Sequence, residues 1–69
     1  MYNNLKAELV RTKIKNQDIA DKLNIKPGTA SLKVNGKTRV TLDEAFSLQN
    51  LIYEKSGKKI SIEELFKTA

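Results

Sequence analysis

Apolar residues recur every three or four positions along most of the chain, a spacing typical of amphipathic helices. No longer stretch alternates apolar and polar residues as a half-buried strand would. The pattern predicts helices over residues 4–12, 17–23 and 27–34, a fourth running from a cap at Thr41 to residue 53 or 54, and a fifth after Ser61. The expected fold is all-α: a compact five-helix bundle forming one domain over residues 1–69.

Short polar residues mark where the helices should begin. Asn3 or Asn4 is expected to cap the first helix and Asn16 the second, because their side chains can accept hydrogen bonds from free N–H groups. Capping-box patterns beginning at Thr41 and Ser61 predict the starts of the fourth and fifth helices.

The third helix has signals at both ends. Pro27 suits the first helical position, where its missing N–H has no helical partner to lose. Gly36 is expected to end this helix in a left-handed conformation, and Asn24 to end the second helix in the same way. Eight residues that include Gly28 do not form a stable helix alone, so neighbouring helices must hold this one in place.

The fourth helix is expected to bury one broad apolar face, formed by Leu42, Ala45, Phe46, Leu48 and Ile52. Leu51 falls on the opposite side and is expected to be exposed. Tyr2 and Tyr53 are expected to be partly packed rather than free on the surface. These assignments define which face of the helix meets the core.

Composition narrows the function. The chain contains no cysteine and no histidine, which removes the thiolate ligands and the commonest general base. We therefore expect neither an enzyme nor a cofactor or metal site. No apolar run approaches the ~20 residues of a membrane span, and the first residues lack the apolar stretch of a signal peptide, so the expected location is the cytoplasm, away from membranes.

Charge is concentrated in the middle of the chain. Thirteen Lys and Arg residues oppose eight Asp and Glu residues, which gives a net charge of +5. Between residues 22 and 42 there is no acidic residue, but there are five cations: Lys22, Lys26, Lys33, Lys37 and Arg39. Such a segment favours a face that binds a polyanion, although an ordinary solvated surface would have the same composition.

The second and third predicted helices are joined by about three residues, 24–26. A turn this short makes the helices cross steeply, as in a helix-turn-helix, where the second helix can enter the major groove of DNA. Ala30 and Val34 should face inward. The residues then expected to face the bases are Lys26, Gly28, Thr29, Ser31 and Leu32.

Phosphate contacts are expected around this helix. Exposed backbone N–H groups after the helix should add to the side chains of the loop. The residues expected to contact phosphate are Asn16, Gln17, Lys33, Asn35, Lys37, Thr38 and Arg39.

Four ordered blocks, at residues 18–25, 29–31, 35–37 and 60–66, resemble the phage repressor and Cro-type helix-turn-helix family, also called the XRE family. The resemblance covers nearly the whole chain and implies a lambda repressor-like DNA-binding domain. The family often has Thr or Ser and then a phosphate-binding Gln at the start of its second helix; here Lys15 and Asn16 occupy those positions. Leu9 and Val34 stand where some relatives bury an Arg–Glu pair.

The function implied by the resemblance is that of a sequence-specific transcriptional regulator, either Cro-like or a minimal phage or prophage repressor. Its expected partner is double-stranded operator DNA, bound by a homodimer that forms at least on DNA, without a small-molecule ligand. The alternative is a protein-interaction module on the same scaffold, such as an antirepressor or a component of a toxin–antitoxin pair. Steep salt dependence of DNA binding would favour the first interpretation.

Overall fold

The structure is a computed structural model that describes residues 2–67. It contains five helices: α1 (Asn3–Arg11), α2 (Asn16–Leu23), α3 (Pro27–Val34), α4 (Leu42–Ser56) and α5 (Ile62–Leu65). No strand occurs in the described part of the chain, and the all-α class is confirmed. None of the helices in residues 2–67 is long and apolar enough to cross a membrane.

The core is assembled mainly from large aliphatic side chains of α1, α2, α4 and α5. α2 packs against α3 and α4, while α5 packs against α1 and α4. The largest fully buried side chains are Leu5, Ile19, Leu48, Ile52 and Leu65. α3 contributes only the smaller Ala30 and Val34, so it borrows its stability from neighbours that bury more apolar surface.

The start of α1 differs from the prediction. Its N-cap is Tyr2, whose side chain makes no capping hydrogen bond, and Asn3 is already helical. Asn4 instead uses its side-chain Nδ2 to donate to the carbonyl of Glu64, at 2.9 Å, which ties α1 to the end of α5. The Tyr2 ring is partly packed as expected, edge-to-face on Phe66 with centroids 5.1 Å apart.

The start of α2 also differs, by one residue. The N-cap is Lys15 rather than Asn16, which is the first helical residue. The capping contact comes from inside the helix, where Asp18 Oδ2 accepts from the Lys15 backbone N–H at 2.9 Å. The end of α2 is as predicted, with Asn24 in the left-handed conformation at φ 58°.

α3 ends at Gly36 as predicted, with φ 74°. The Gly36 N–H donates to the carbonyl of Lys33 at 3.1 Å, and the Lys37 N–H donates to that of Leu32 at 2.9 Å. α1 ends in the same pair of hydrogen bonds around Lys13, a non-glycine residue at φ 59°. Both ends are therefore closed by the motif in which a left-handed residue satisfies the last helical carbonyls.

The predicted cap at Thr41 is confirmed in both directions. Thr41 Oγ1 accepts from the Glu44 N–H at 3.2 Å, and the Thr41 N–H donates to Glu44 Oε1 at 3.0 Å. Ser61 Oγ likewise accepts from the N–H of Glu64, at 3.2 Å, at the start of α5. Within α4, Gln49 Nε2 donates to the carbonyl of Ile60 at 2.7 Å, which fixes the segment leading into α5.

The expected faces of α4 are partly wrong. Leu51 is buried, with 8% of its surface exposed, whereas Leu42 and Phe46 are 64% and 46% exposed. At about 100° per residue, Leu51 lies beside Leu48 on the arc that the neighbouring helices cover, and Leu42 lies outside that arc. Tyr53, expected to be partly packed, is 51% exposed.

This reversal predicts unequal costs for two chemically identical substitutions. Leu51→Ala should reduce the free energy of unfolding by about 2–5 kcal/mol, because it leaves a cavity in the core. Leu42→Ala should change it by no more than about 0.5 kcal/mol, because the side chain is mostly in solvent. Urea denaturation of both variants measures the difference. Equal costs would contradict the orientation of α4 described here.

Candidate functional site

The outward face of α3 is nearly neutral and contains small residues. Ala30 and Val34 point into the core, and Leu32 lies on the opposite side of the helix with 43% of its surface exposed. Gly28 is exposed near the start of the helix, and nothing lies within 4 Å of where its Cβ would be. The face therefore allows another molecule to approach the backbone closely.

The five residues expected to face the bases do not all share this face. Thr29 and Ser31 lie on its two flanks and are half-buried. The Ser31 carbonyl accepts from Nδ2 of Asn35 at 2.8 Å. The fully outward part of the set is Lys26, Gly28 and Leu32.

Lys33 is engaged inside the protein. Its Nζ donates to Glu44 Oε1 at 2.9 Å and to the carbonyl of Arg39 at 2.8 Å, and only 13% of its side chain is exposed. The expectation that Lys33 contacts phosphate does not fit this geometry. Its ammonium group instead joins the end of α3 to the loop before α4 and to the first turn of α4.

Asn35 is also engaged internally, against the expectation of a phosphate contact. Its Oδ1 accepts from Nζ of Lys6 at 3.0 Å, while its Nδ2 donates to the Ser31 carbonyl. Lys6 belongs to α1 and lies 29 positions earlier in the chain. No local signal in the sequence relates these two residues, so sequence reasoning missed Lys6 as a neighbour of this surface.

A shallow cleft of about 270 Å³ opens beside this pair of side chains. Its apolar lining comes from α1, α3 and the turn after α1: Leu9, Val10, Ile14 and Val34. Its polar lining is Lys6, Asn16, Ser31 and Asn35. The cleft thus places exposed Asn16, at the start of α2, on the same edge of the domain as Lys6. Gln17 is exposed as well, and its Nε2 donates to Asp21 Oδ1 at 2.9 Å.

Backbone N–H groups were expected to be available for phosphate in the loop after α3. Two of them are engaged within the protein, because the N–H groups of Gly36 and Lys37 donate to α3 carbonyls. The side chains of Lys37, Thr38 and Arg39 are exposed. These side chains are therefore accessible to an anion.

Internal ion pairs reduce the central charge to three cations. Lys22 Nζ lies 3.1 Å from Glu54 Oε1, which links α2 to α4, and Lys33 is paired with Glu44. The other three of the five central cations form no ion pair within residues 2–67: Lys26, Lys37 and Arg39. One lies before α3 and two lie after it, so positive charge remains at both ends of the outward face.

The carboxyl group of Glu44 has a lowered pKa. The main cause is the hydrogen bond that it accepts from the Thr41 backbone N–H, and the hydrogen bond and charge of Lys33 act in the same direction. Burial opposes these effects but does not cancel them. The carboxylate of Glu44 therefore both closes the cap of α4 and pairs with the ammonium group of Lys33.

Comparison with known proteins supplies no assignment for this surface. The chain matches no protein-family model, no curated protein and no solved structure. A proposal for the function therefore has to follow from the chemistry of the surface itself. That surface is the neutral outward face of α3, with cations that form no ion pair at both of its ends.

The Glu44 cap predicts an acid-sensitive contribution to stability. The folded state holds this carboxyl deprotonated below its ordinary pKa of 4.5, so its contribution is present above that pH and is lost as the pH falls through the lowered folded value. Glu44→Gln should therefore be less stable than wild type at neutral pH and should lose less stability on acidification. Chemical denaturation at neutral pH and on both sides of 4.5 measures this.

The matched control is Glu54→Gln, which removes the same charge from α4 at an exposed ion pair. A stability difference between Glu44→Gln and wild type that stays constant across the pH range would contradict the role assigned to Glu44.

Proposed function

We propose that this domain binds double-stranded DNA by placing α3 in the major groove and regulates transcription, as a Cro-like protein or a minimal phage or prophage repressor. The observation that carries the proposal is the exposed neutral face of α3, with the unpaired cations Lys26, Lys37 and Arg39 at its two ends. In DNA recognition, cations bind phosphates and a helix face contacts base edges, and this surface offers both kinds of group.

The dimensions of α3 support groove entry. A helix with its side chains is about 10–12 Å across, and the major groove is about 12 Å wide, so the fit leaves little room for bulky residues. Gly28 adds no side-chain thickness at the exposed start of α3. The short connection at residues 24–26 is expected to make α2 and α3 cross steeply. This crossing would let α3 enter the groove while α2 lies over the DNA backbone.

Phosphate binding in this proposal falls to a smaller set than the sequence indicated. Lys37 and Arg39 supply the charge together with Lys26, which the sequence placed among the base-facing residues, and Thr38 adds a hydroxyl group. Asn16 and Gln17 are exposed at the start of α2 and lie on a second edge, where they can reach the neighbouring strand. Lys33 and Asn35 act indirectly, by holding α3 in place.

The proposed base-reading face is chemically simple. It lacks the Arg, Asn and Gln side chains that make bidentate contacts with bases. Leu32 can contact the methyl group of thymine, and Thr29 can offer one hydroxyl group from the flank. Much of the specificity is then expected to come from DNA shape and from the sum of two half-sites.

A pair of lysine substitutions tests the proposal. Lys37→Gln should weaken binding to all duplexes and reduce the slope of log K against log salt by about one, because one phosphate contact is lost. Lys58→Gln, the matched control at an exposed lysine between α4 and α5, should leave the slope unchanged, because it lies outside the proposed interface. Fluorescence anisotropy with a labelled duplex at several salt concentrations measures both slopes, after circular dichroism shows that each variant is folded.

Two results would count against DNA binding through this face. Equal slopes for wild type and Lys37→Gln would remove Lys37 from the interface. Duplex binding that is absent, or insensitive to salt, would favour the alternative of a protein-interaction module on the same scaffold.

The base-reading role is tested separately by the double variant Thr29→Ala, Leu32→Ala. Selection of binding sites from random DNA should yield a flattened motif relative to wild type, with each lost preference at or below about 1–3 kcal/mol per base pair. Affinity for non-specific duplex should be retained, since no cation is removed. Val10→Ala, which alters an exposed apolar residue on α1, should give the wild-type motif. An unchanged motif from the double variant would place base reading elsewhere.

A further inference from the structure

The cleft between α1, α3 and the start of α2 contains a cation that the proposed DNA interface does not use. Lys6 is half-buried in its wall, and its Nζ donates to Asn35 Oδ1 at 3.0 Å. That acceptor is a neutral amide, and Lys6 forms no ion pair within residues 2–67. Glu8, the acid of α1, lies about 200° further around the helix and pairs with Arg11 at 3.4 Å. The charge of Lys6 is therefore uncompensated in a place with limited access to water.

The rest of the cleft lining is suited to an anion. None of its eight residues is acidic. The Lys6 ammonium group has further N–H groups besides the one that it donates to Asn35. Asn16 is exposed, and its side-chain amide makes no hydrogen bond within residues 2–67. Ser31 Oγ accepts from Asn35 Nδ2 at 3.4 Å and still has its own O–H to donate. The cleft therefore offers hydrogen-bond donors on three helices around one positive charge.

We infer that this cleft binds a small phosphate-bearing molecule, with Lys6 as its cationic contact and the side chains of Asn16 and Ser31 as neutral donors. A phosphate group carries a charge of about −1.5 to −2 at neutral pH, and its acceptor oxygens point in several directions. Donors on α1, α2 and α3 can therefore reach it together. A carboxylate is planar and offers fewer oxygens, so it matches this arrangement less well.

The size of the cleft limits the ligand. Its volume of about 270 Å³ corresponds to roughly nine water molecules at about 30 Å³ each. This volume lies just below the range of about 300–1,000 Å³ that is typical of small-molecule sites. A phosphate group with a short substituent fits, and a larger compound would extend into solvent past Val10, which is 78% exposed. With one cation and few hydrogen bonds, the phosphate group alone is expected to bind with a Kd on the order of 1 mM.

A ligand in the cleft would oppose DNA binding, a consequence that rests on the proposed function. Asn16 lines the cleft and also belongs to the edge that is proposed to reach the neighbouring DNA strand. A bound phosphate group would occupy this amide and would place negative charge beside the DNA backbone. The resemblance implies no small-molecule ligand, whereas this cleft would make duplex binding sensitive to the concentration of a small anion.

Titration of the full chain with inorganic phosphate, in the absence of DNA, tests the site. Phosphate replaces chloride at constant pH and ionic strength, and NMR follows the amide chemical shifts. Shifts of the residues that line the cleft should change along a saturating curve. Lys6→Gln should raise the Kd by at least about ten-fold, because a hydrogen bond to a charged group is lost. Lys58→Gln, at an exposed lysine between α4 and α5, should keep the wild-type Kd.

A second variant separates the loss of phosphate binding from a loss of structure. Lys6 also donates to Asn35, so circular dichroism and a thermal transition must show that Lys6→Gln is folded. Asn16→Ala removes an exposed amide without removing a charge or a contact with α3, and it should remain folded with a Kd raised by about three-fold or more. Lys6→Arg, which keeps the charge, should bind phosphate more tightly than Lys6→Gln does.

Three results would overturn the inference. The first is a set of shifts that grow without saturating, or that saturate equally in wild type and in folded Lys6→Gln. The second is a set of shifts confined to another part of the chain, such as the basic loop at residues 55–59, since this would indicate general attraction of anions. The third is acetate that binds as tightly as phosphate at the same ionic strength, which would remove the preference for a phosphate group.

The effect on DNA is measured separately, by fluorescence anisotropy with a labelled duplex at constant ionic strength. Inorganic phosphate should weaken duplex binding by wild type, and Lys6→Gln should lose most of this inhibition. Without phosphate, Lys6→Gln should keep the wild-type salt slope. A slope reduced by about one would place a phosphate of DNA in the cleft and would overturn the assignment to a free ligand. Failure of every variant to bind duplex would refute the proposed function, while the titration without DNA would still decide whether the cleft binds phosphate.

Discussion

An eight-residue helix does not persist alone in water, so the position of α3 depends on what holds it. Its buried side contributes only Ala30 and Val34, and polar side chains secure its flanks. Lys33 reaches across to α4 through Glu44, and Asn35 reaches α1 through Lys6. Since these contacts act on opposite sides of the helix, they fix its rotation as well as its place. The direction in which Leu32 points is a consequence of this bracing.

The same bracing determines which charges remain for a partner. A lysine whose ammonium group donates hydrogen bonds to acceptors within the protein would have to break those bonds before it could bind a phosphate. Lys33 is in that position, whereas the exposed Lys37 and Arg39 in the next loop are not. A short basic segment thus divides into cations that build the surface and cations that can act from it. Linear charge alone does not reveal this division, because it depends on contacts with α4.

The features that could be predicted from the sequence are those that depend on residues close together in the chain. Pro27, Gly36 and the Thr41 cap are read correctly because each acts on backbone groups a few residues away. The end of α1 is not readable in this way, since Lys13 adopts a conformation that usually calls for glycine. Apolar residues occur on several sides of α4, so periodicity could not choose between Leu42 and Leu51, and only the positions of the neighbouring helices decide. The contact between Lys6 and Asn35 is equally invisible, because it joins distant parts of the chain.

The neutral face of α3 limits how much the domain could discriminate between sequences in the proposed function. A helix that offers Leu32 and one hydroxyl group to the bases gains little discrimination from them. Contacts between cations and phosphates carry no sequence information. In that proposal, affinity and specificity therefore come from different residues. Lys37 and Arg39 would set how tightly the domain holds any duplex, and Leu32 and Thr29 would set a small preference among duplexes.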